Sequence, residues 1–446
     1  MTAWLEGRTN FERVPPAGRS AATFGLARMR RLLAAVGNPH RQLRVVHVAG
    51  TKGKGSTVAM LAAVLQEAGH RVGRYMSPHV HTLEERIAVN GQPIPSADLV
   101  AAFTRVMPVV ADMDRRAARR GGRGPTWFEV MTAAAFLHFA QSRVDIAVLE
   151  TGLGGRLDAT NVVQPLVSII TSISLDHMAV LGPTIGRIAT EKAGIIKRGR
   201  PVISTATHPA ARRVIAATAA RRRAPLWQLG REIRASYEQP VGDPLGGGIV
   251  EVVVAAQGRT APVATGRYQI GMPGRHQADN AAAVIAATLR LQEAGVRVSA
   301  RALARGLASV TLPARIERLA TAPLVIVDAA HNVASMRSLL DTVGPTLAAA
   351  PRRVLVFAAS GDKQIETMLA LAAGHVDEVI LTRYVSNRRA ASLQRLVAAA
   401  AAAGLPATAI EPPAEAVRVA RRRATRRGAV LVAGSFFLAA EVGRSA

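Results

Sequence analysis

Residues 47 to 57, His-Val-Ala-Gly-Thr-Lys-Gly-Lys-Gly-Ser-Thr, crowd glycines, lysines and hydroxyls into one short segment. Those residue types suit an anion. Gly50, Gly53 and Gly55 let the backbone turn tightly and approach a phosphate closely. Backbone N–H groups and the positive end of a following helix then face that phosphate. Lys54 can reach the β- and γ-phosphates, and Ser56 can place a hydroxyl on Mg2+. The apolar run Arg44 to Ala49 predicts a strand before the loop, and an amphipathic stretch from about Ser56 to Ala68 predicts a helix after it. A ligand-free Gly/Lys turn is the alternative, but such a turn rarely has a strand before it and a helix behind. In the common Walker A pattern Lys is followed directly by Ser or Thr, whereas here Gly55 intervenes. The segment predicts an ATP-using enzyme.

Three further groups could join that chemistry. Glu150 follows the apolar run Val144 to Leu149, and Asp176-His177 follow the run Leu166 to Ser172. Open α/β sheets bind ligands at the carboxyl ends of their strands, so Glu150 and His177 are candidates for one shared site. The glycines of Glu150-Thr-Gly-Leu-Gly-Gly-Arg-Leu-Asp-Ala-Thr-Asn161 permit close packing on a ligand, or equally a structural turn. Mg2+ prefers oxygen, so on chemistry alone a His177 ligand would be unusual. Lys192, in Ala189-Thr-Glu-Lys-Ala-Gly-Ile-Ile196, reads from its local pattern as an exposed helical lysine.

Positioning these groups requires a parallel sheet. Continuous apolar runs suit strands covered on both faces. Residues 226 to 271 differ, with Gly and β-branched residues in short segments, and predict a small antiparallel insert. A second α/β pattern starts near Leu324 and continues through Arg353–Ala358, Glu378–Thr382 and Ala429–Ala433. Between the patterns lies the Pro-containing joint Thr311-Leu-Pro-Ala-Arg-Ile-Glu317. The expected fold class is α/β. An N-terminal P-loop parallel-sheet ATPase domain would span 1–311, and a smaller C-terminal Rossmann-like domain 312–446. Two such domains around a hinge would leave a cleft, a common place for a ligand.

Composition narrows the class. At about 100–200 residues per domain, 446 residues fit two or three domains. Cys is absent, which excludes disulfides, thiolate metal sites and a cysteine nucleophile. No secretory leader and no run of about 18 uncharged apolar residues is seen, so a soluble cytoplasmic protein with no membrane partner is expected. The net charge is +27. That balance invites nucleic acid, but Arg and Ala are abundant everywhere and few aromatics interleave with the basic runs. A basic surface that steers anionic substrates is preferred over a nucleic-acid site.

Taken together, the motifs closely resemble the folylpolyglutamate synthase/dihydrofolate synthase family of the Mur-ligase superfamily. The resemblance runs through Ala49–Ser56, Ser77-Pro-His79, Glu85-Arg-Ile87, Thr126-Trp-Phe-Glu129 and Glu150–Asn161. It continues through Asp176-His177, Glu191–Gly194, Gly274–Asn280, Pro313–Glu317, Asp328-Ala-Ala-His-Asn332 and Gly434-Ser435. Their number and order make it specific. It implies that Thr51, Lys52, Gly53 and Lys54 hold the ATP phosphates, with Gly55 in the same loop and Ser56 beside one Mg2+. Ser77, Glu150 and His177 look like metal ligands, which overrides the objection to a His ligand. Lys192 matches a lysine carbamylated in the family, whose oxygens serve a second metal, so here the resemblance reverses the local reading. Asn280, Arg315 and Asp328 match nucleotide contacts, and His331 and Ser435 match C-terminal residues needed for activity. Thr126, Trp127, Phe128 and Glu129, with Leu157, Asp158 and Ala159, match the pterin-substrate surface. Two departures stand out. Lys52 replaces a frequent Asn, and Pro313-Ala-Arg replaces a frequent Pro-Gly-Arg, which gives up φ freedom at the joint.

The implied reaction is ATP-dependent amide formation. A substrate carboxylate becomes an acyl phosphate, and the amine of L-glutamate displaces phosphate. The acceptor would be tetrahydrofolate, and also 7,8-dihydropteroate if the enzyme is bifunctional. ATP and Mg2+ are the expected cofactors, and family analogy suggests a monomer. Rival readings are a UDP-muramyl amino-acid ligase, a basic nucleic-acid-binding NTPase, and a non-catalytic nucleotide-binding regulator.

Overall fold

The computed structural model describes residues 2–12, 24–240, 242–255, 264–387 and 389–443. Met1, and Val241 and 256–263 of the expected insert, lie outside them. The chain divides into two compact units. The first comprises Met1–Ser236, Val250–Tyr268 and Ala278–Val310, and the second Tyr237–Ile249, Gln269–Gln277 and Thr311–Ala446.

The first unit is built on eight strands. In chain order they are β1 (Val45–Ala49), β2 (Val72–Tyr75), β3 (Ile87–Val89), β4 (Gln92–Pro93), β5 (Ile146–Glu150), β6 (Val167–Ile170), β7 (Val202–Ser204) and β8 (Leu226–Gln228). Their order across the sheet is β4-β3-β2-β5-β1-β6-β7-β8. In that order every pair from β2 to β8 is parallel, and only β3 runs the other way, antiparallel to both β2 and β4. The centre explains the sequence pattern. Every residue of β1, β5 and β6 is buried, because helices cover both faces. At the edge, β4 is exposed and ends on Pro93, whose missing N–H costs nothing there. The register sets Val48 beside Glu150 and Ala49 beside Ile170. The loop at Gly50 and the ends of β5 and β6 therefore share one edge.

Helix Lys54–Glu67 starts two residues before the expected Ser56. Helix Trp127–Gln141 opens with a capping box. The Glu129 N–H donates to the Thr126 hydroxyl at 3.3 Å, and Glu129 Oε2 accepts from the Thr126 N–H at 2.7 Å. Helix Ile185–Ala193 is sealed into a core with Ile170, Ile195 and Val202.

One expectation needs correction. The insert does not begin at 226. Leu226–Gln228 is β8, parallel to β7, with Ile203 beside Trp227. Three residues are too few to show a period, and their burial comes from the sheet edge they complete. The insert itself is a three-stranded sheet of β9 (Ile233–Glu238), β10 (Gly248–Val254) and β11 (Ala264–Ile270), in the order β11-β10-β9.

The second unit holds β12 (Glu317–Thr321), β13 (Leu324–Val327), β14 (Arg353–Phe357), β15 (Glu378–Leu381), β16 (Ala407–Ala409) and β17 (Ala429–Ala433). Their order is β12-β13-β17-β14-β15-β16, with only β12 antiparallel. Apolar clusters form around Leu355, Phe357 and Leu431, and around Val356, Val430 and Leu438. In the Pro313–Glu317 joint, Ala314 and Ile316 take positive φ values of 55° and 50°. Each is pinned, since Ala314 N–H donates to Glu317 Oε2 at 2.8 Å and Ile316 N–H to Asp328 Oδ2 at 2.9 Å. A left-handed conformation costs a non-glycine residue roughly 1–2 kcal/mol, so Ala314 is held where glycine would rest unstrained. Among the described residues, no helix is long and apolar enough to cross a membrane.

Candidate active site

The loop between β1 and helix Lys54–Glu67 is shaped from beneath. Thr171, just past β6, donates its hydroxyl to the Lys52 carbonyl at 2.6 Å. The Thr51 N–H donates to the Ser172 carbonyl at 2.8 Å. The Thr51 hydroxyl donates to the Ser174 carbonyl and lies 3.2 Å from the Ser174 N–H. Gly50 is required by packing rather than by φ, because a Cβ there would lie 1.7 Å from Thr171 Oγ1. Gly53 is required by both. Its φ is +83°, and a Cβ would meet Asn280 Oδ1 at 2.3 Å. Asn280 is thus packed against the loop.

The charged groups gather around this turn. Lys54 Nζ lies 3.7 Å from Glu150 Oε1, and the Ser77 N–H donates to Glu150 Oε2 at 3.2 Å. Glu150 is the last residue of β5 and only 4% exposed. Lys52 turns aside to pair with Asp176 at 3.0 Å. His177 stands apart. Six residues separate β6 from it, its φ is +49°, and its side chain is 44% exposed beside Asp176. The structure therefore brings Ser77, Glu150 and Lys54 together and leaves His177 on the open side.

Lys192 corrects the local reading. It is 4% exposed rather than a surface lysine, and its ammonium donates to the Gly50 carbonyl at 2.6 Å. Burial lowers its pKa well below the usual lysine value, and the nearby Lys54 charge lowers it further. The misreading has a simple origin. The helix is short and amphipathic, and the face carrying Lys192 is covered by a segment distant in sequence, the phosphate loop.

Of the expected pterin-side residues, several turn inward. Trp127 sits in the core with Tyr75 and Phe136. Glu129 is buried and takes a 2.8 Å hydrogen bond from Arg28. Thr126, Asp158 and Ala159 are buried, while Phe128 and Leu157 are half-buried. The Asp158 carboxylate accepts from the N–H groups of Leu153 and Thr160, each at 3.0 Å, and shapes the loop that follows β5. Sequence reasoning also misses Arg86. Its side chain is 2% exposed, pairs with Glu12, donates to His79 Nδ1 at 2.8 Å and lies 4.6 Å over the Trp127 ring. The motif Glu85-Arg-Ile87 contains it, but its role is not legible there, since Glu12 and Trp127 are far away in sequence.

In the second unit, Asp328 and His331 follow β13, and Ser435 follows the neighbouring β17. Asp328 accepts from Ile316 and Ala330, His331 Nδ1 lies 2.8 Å from the Ala329 carbonyl, and Arg315 lies over the Phe436 ring at 5.5 Å. Ser435 Oγ accepts from the Phe437 N–H at 3.1 Å, at the start of helix Phe436–Gly443. These four candidates share one sheet edge.

Comparison with known proteins places this arrangement. Residues 111–288 match the Mur ligase middle domain, and residues 314–436 match the Mur ligase glutamate ligase domain. The dihydrofolate synthase/folylpolyglutamate synthase of Bacillus subtilis is 39% identical over 371 residues, covering 82% of this chain and 80% of that protein. The chain belongs to the dihydrofolate synthase/folylpolyglutamate synthase family. Its Mycobacterium tuberculosis relative is 36% identical over 376 residues, with 81% and 75% covered. Among solved members, the M. tuberculosis folylpolyglutamate synthase complexed with ADP superposes with a TM-score of 0.87 at 31% identity, covering 99% of this chain and 96% of that one. An Escherichia coli FolC in complex with DHPP and ADP gives 0.80 at 31% identity, with 99% and 96% covered.

The donor set fits the dication expected of this family. Among the described residues no three His, Asp or Glu side chains converge on one point. Mg2+ does not need such a cage. It commonly takes one or two carboxylates, waters and substrate phosphates, and Glu150 with the Ser56 and Ser77 hydroxyls offers oxygen beside the phosphate loop.

Proposed function

We propose that this protein joins L-glutamate to folates in an ATP-dependent ligation, acting on tetrahydrofolate and also on 7,8-dihydropteroate. The observation that carries the reading is the loop Gly50–Ser56. It is held rigid over β6, with Lys54 and Glu150 side by side at its mouth.

In this reading the loop N–H groups from Lys52 to Gly55 receive the ATP phosphates, Thr51 anchors the loop beneath them through its bond to the Ser172 carbonyl, and the Lys54 ammonium sits against the oxygens that gain charge during transfer. A carboxylate oxygen of the acceptor attacks the γ-phosphorus, and ADP leaves. The glutamate nitrogen then attacks the activated carbonyl carbon. Inorganic phosphate leaves with the C–O electron pair, the nitrogen loses its proton, and an amide remains. Ser56, Ser77, Glu150 and His177 would hold Mg2+, a carbamylated Lys192 would offer its oxygens to a second metal, and a dication bound there would supply neutralisation of phosphate charge. Lys192 suits that modification, because a buried amine with a lowered pKa is available in the neutral form that combines with CO2. Phe128 and Leu157 offer apolar surface to a pterin ring. Asn280, Arg315 and Asp328 attend the nucleotide, and His331 and Ser435 serve catalysis from the C-terminal portion. The 1–311 and 312–446 portions act as separate domains. The enzyme works as a cytoplasmic monomer without nucleic acid, and its basic surface steers anionic substrates.

The test is direct. Purified protein is mixed with ATP, Mg2+ and L-glutamate, and with tetrahydrofolate or 7,8-dihydropteroate in separate reactions. ADP release and a glutamylated product are expected from both. Absence of ADP and product from both reactions would refute the reading, and product from tetrahydrofolate alone would remove the dihydropteroate activity.

A further inference from the structure

His47 is the polar residue inside β1, between Val46 and Val48, and is fully buried. Its strand neighbours across the sheet are Leu149 and Ser168. Burying an imidazole there is costly unless its polar atoms are used. Burial drives its pKa down to about 3, so the ring is neutral, with one N–H and one bare nitrogen.

The hydrogen bonds decide which nitrogen carries the proton. Thr160 Oγ1 donates to the carboxylate of Asp158. Its single proton is therefore committed, and a lone pair faces His47 Nε2 at 2.8 Å. With Asp158 ionised, as its three hydrogen-bond donors favour, Nε2 is the N–H. Nδ1 is left buried with no hydrogen-bond partner. The imidazole thus does one polar thing, which is to donate to Thr160. Asp158, at the other end, holds the N–H groups of Leu153 and Thr160. The same loop is tied to the helix that bears Lys192. Arg156 N–H donates to the Glu191 carbonyl at 2.7 Å, and Asn161 Nδ2 donates to the Gly194 carbonyl at 3.2 Å.

We infer that His47 is a positioning residue for the acceptor side of the site, acting through the Thr160 hydroxyl to fix Asp158 and, with it, the shape of loop 151–161. The functional part of this inference rests on the reading that Leu157 to Ala159 face the folate or pteroate acceptor. The strand that feeds the phosphate loop then also sets the acceptor loop, so one rigid element registers both reactants.

The test compares wild type with His47→Val, which keeps a strand-forming residue but removes the donor, and His47→Gln, which restores an N–H donor. Two readouts are used. Hydrogen exchange of peptides spanning 151–161 requires no ligase activity, and steady-state kinetics separate the KM for acceptor from the KM for ATP. Expected for His47→Val are amides of Leu153 and Thr160 exchanging at least about tenfold faster, an acceptor KM raised about fivefold or more and an ATP KM within twofold. His47→Gln should recover most of both losses. A folded His47→Val protein with exchange and acceptor KM both within twofold of wild type would overturn the proposal. If His47→Val does not fold, Thr160→Val breaks the same chain one link further on, and the same two outcomes support or overturn the proposal. Faster exchange in an enzyme that never ligates glutamate would uphold the positioning link and fault only the functional reading.

Discussion

Lys192→Met removes a buried amino group and leaves a side chain of similar length. Two effects oppose each other. The hydrogen bond to the Gly50 carbonyl at 2.6 Å is lost. A bond to a charged group contributes about 1.5–3 kcal/mol, and the freed carbonyl adds a cost of about 1–3 kcal/mol if water does not reach it. Against that, burial at 4% exposure and the nearby Lys54 and Lys52 charges disfavour the ammonium, so keeping the lysine there, charged or stripped of its proton, costs on the order of several kcal/mol. The desolvation term is the larger. Lys192→Met should therefore be as stable as wild type at pH 7, or about 1–3 kcal/mol more stable, while ligation falls at least about 100-fold.

The pH dependence sharpens this. Lys192 has a folded-state pKa below its unfolded value, so between the two the unfolded chain binds the extra proton. Stability of wild type must then rise with pH across the window that ends near the unfolded lysine value, by at most about 1.4 kcal/mol per pH unit. The variant lacks this gain, so its advantage should shrink from pH 7 to 9. Urea unfolding at pH 7, 8 and 9 in CO2-depleted buffer measures both quantities. A Lys192→Met protein destabilised by more than about 2 kcal/mol at pH 7, with the wild-type pH slope, would show that the lysine is an ordinary structural donor.

Lys54→Ala should leave the fold intact and lower kcat/KM for ATP by about 100-fold or more, read by ADP release, since a cation placed against developing phosphate charge is lost. Gly53→Ala forces a Cβ onto a +83° φ and within 2.3 Å of Asn280 Oδ1. It should cost about 2–3 kcal/mol in denaturant unfolding and raise the ATP KM severalfold. Glu12→Gln leaves the Arg86 guanidinium buried with a weakened partner. Because Glu12 is itself about a third exposed, the expected loss is about 1–3 kcal/mol in denaturant unfolding. Glu12→Gln with unchanged stability would remove the pair from the set of structural contacts.

The sequence carries the parts of this molecule that are local. Gly50, Gly53 and Gly55 behind an apolar strand announce the phosphate loop, and the loop lies where the pattern puts it. The apolar runs ending at Leu149 and Ser172 announce central parallel strands, and Glu150 closes the first of them. Long-range cover is not legible. Lys192 is buried by Gly50, a contact 142 residues distant, and nothing in its own helix reveals that. Trp127 reads as a ligand-facing aromatic, yet the packing of helix Trp127–Gln141 turns it into the core and leaves Phe128 partly open. β8 reads as part of the insert because three residues cannot display a period. His47 reads only as the first letter of a phosphate motif, since a single polar residue in a strand does not say what it touches.

Thr171, seated under Gly50, has a kinetic meaning as well as a steric one. With Ser172, Ser174 and Lys192 it fixes Gly50, Thr51 and Lys52 through protein hydrogen bonds alone. A nucleotide held there would therefore meet a cradle whose ordering entropy was already met when the chain folded. Association should follow diffusion and charge attraction rather than wait for a loop to freeze, and loosening the peg beneath Gly50 should slow nucleotide capture before it weakens anything the nucleotide touches.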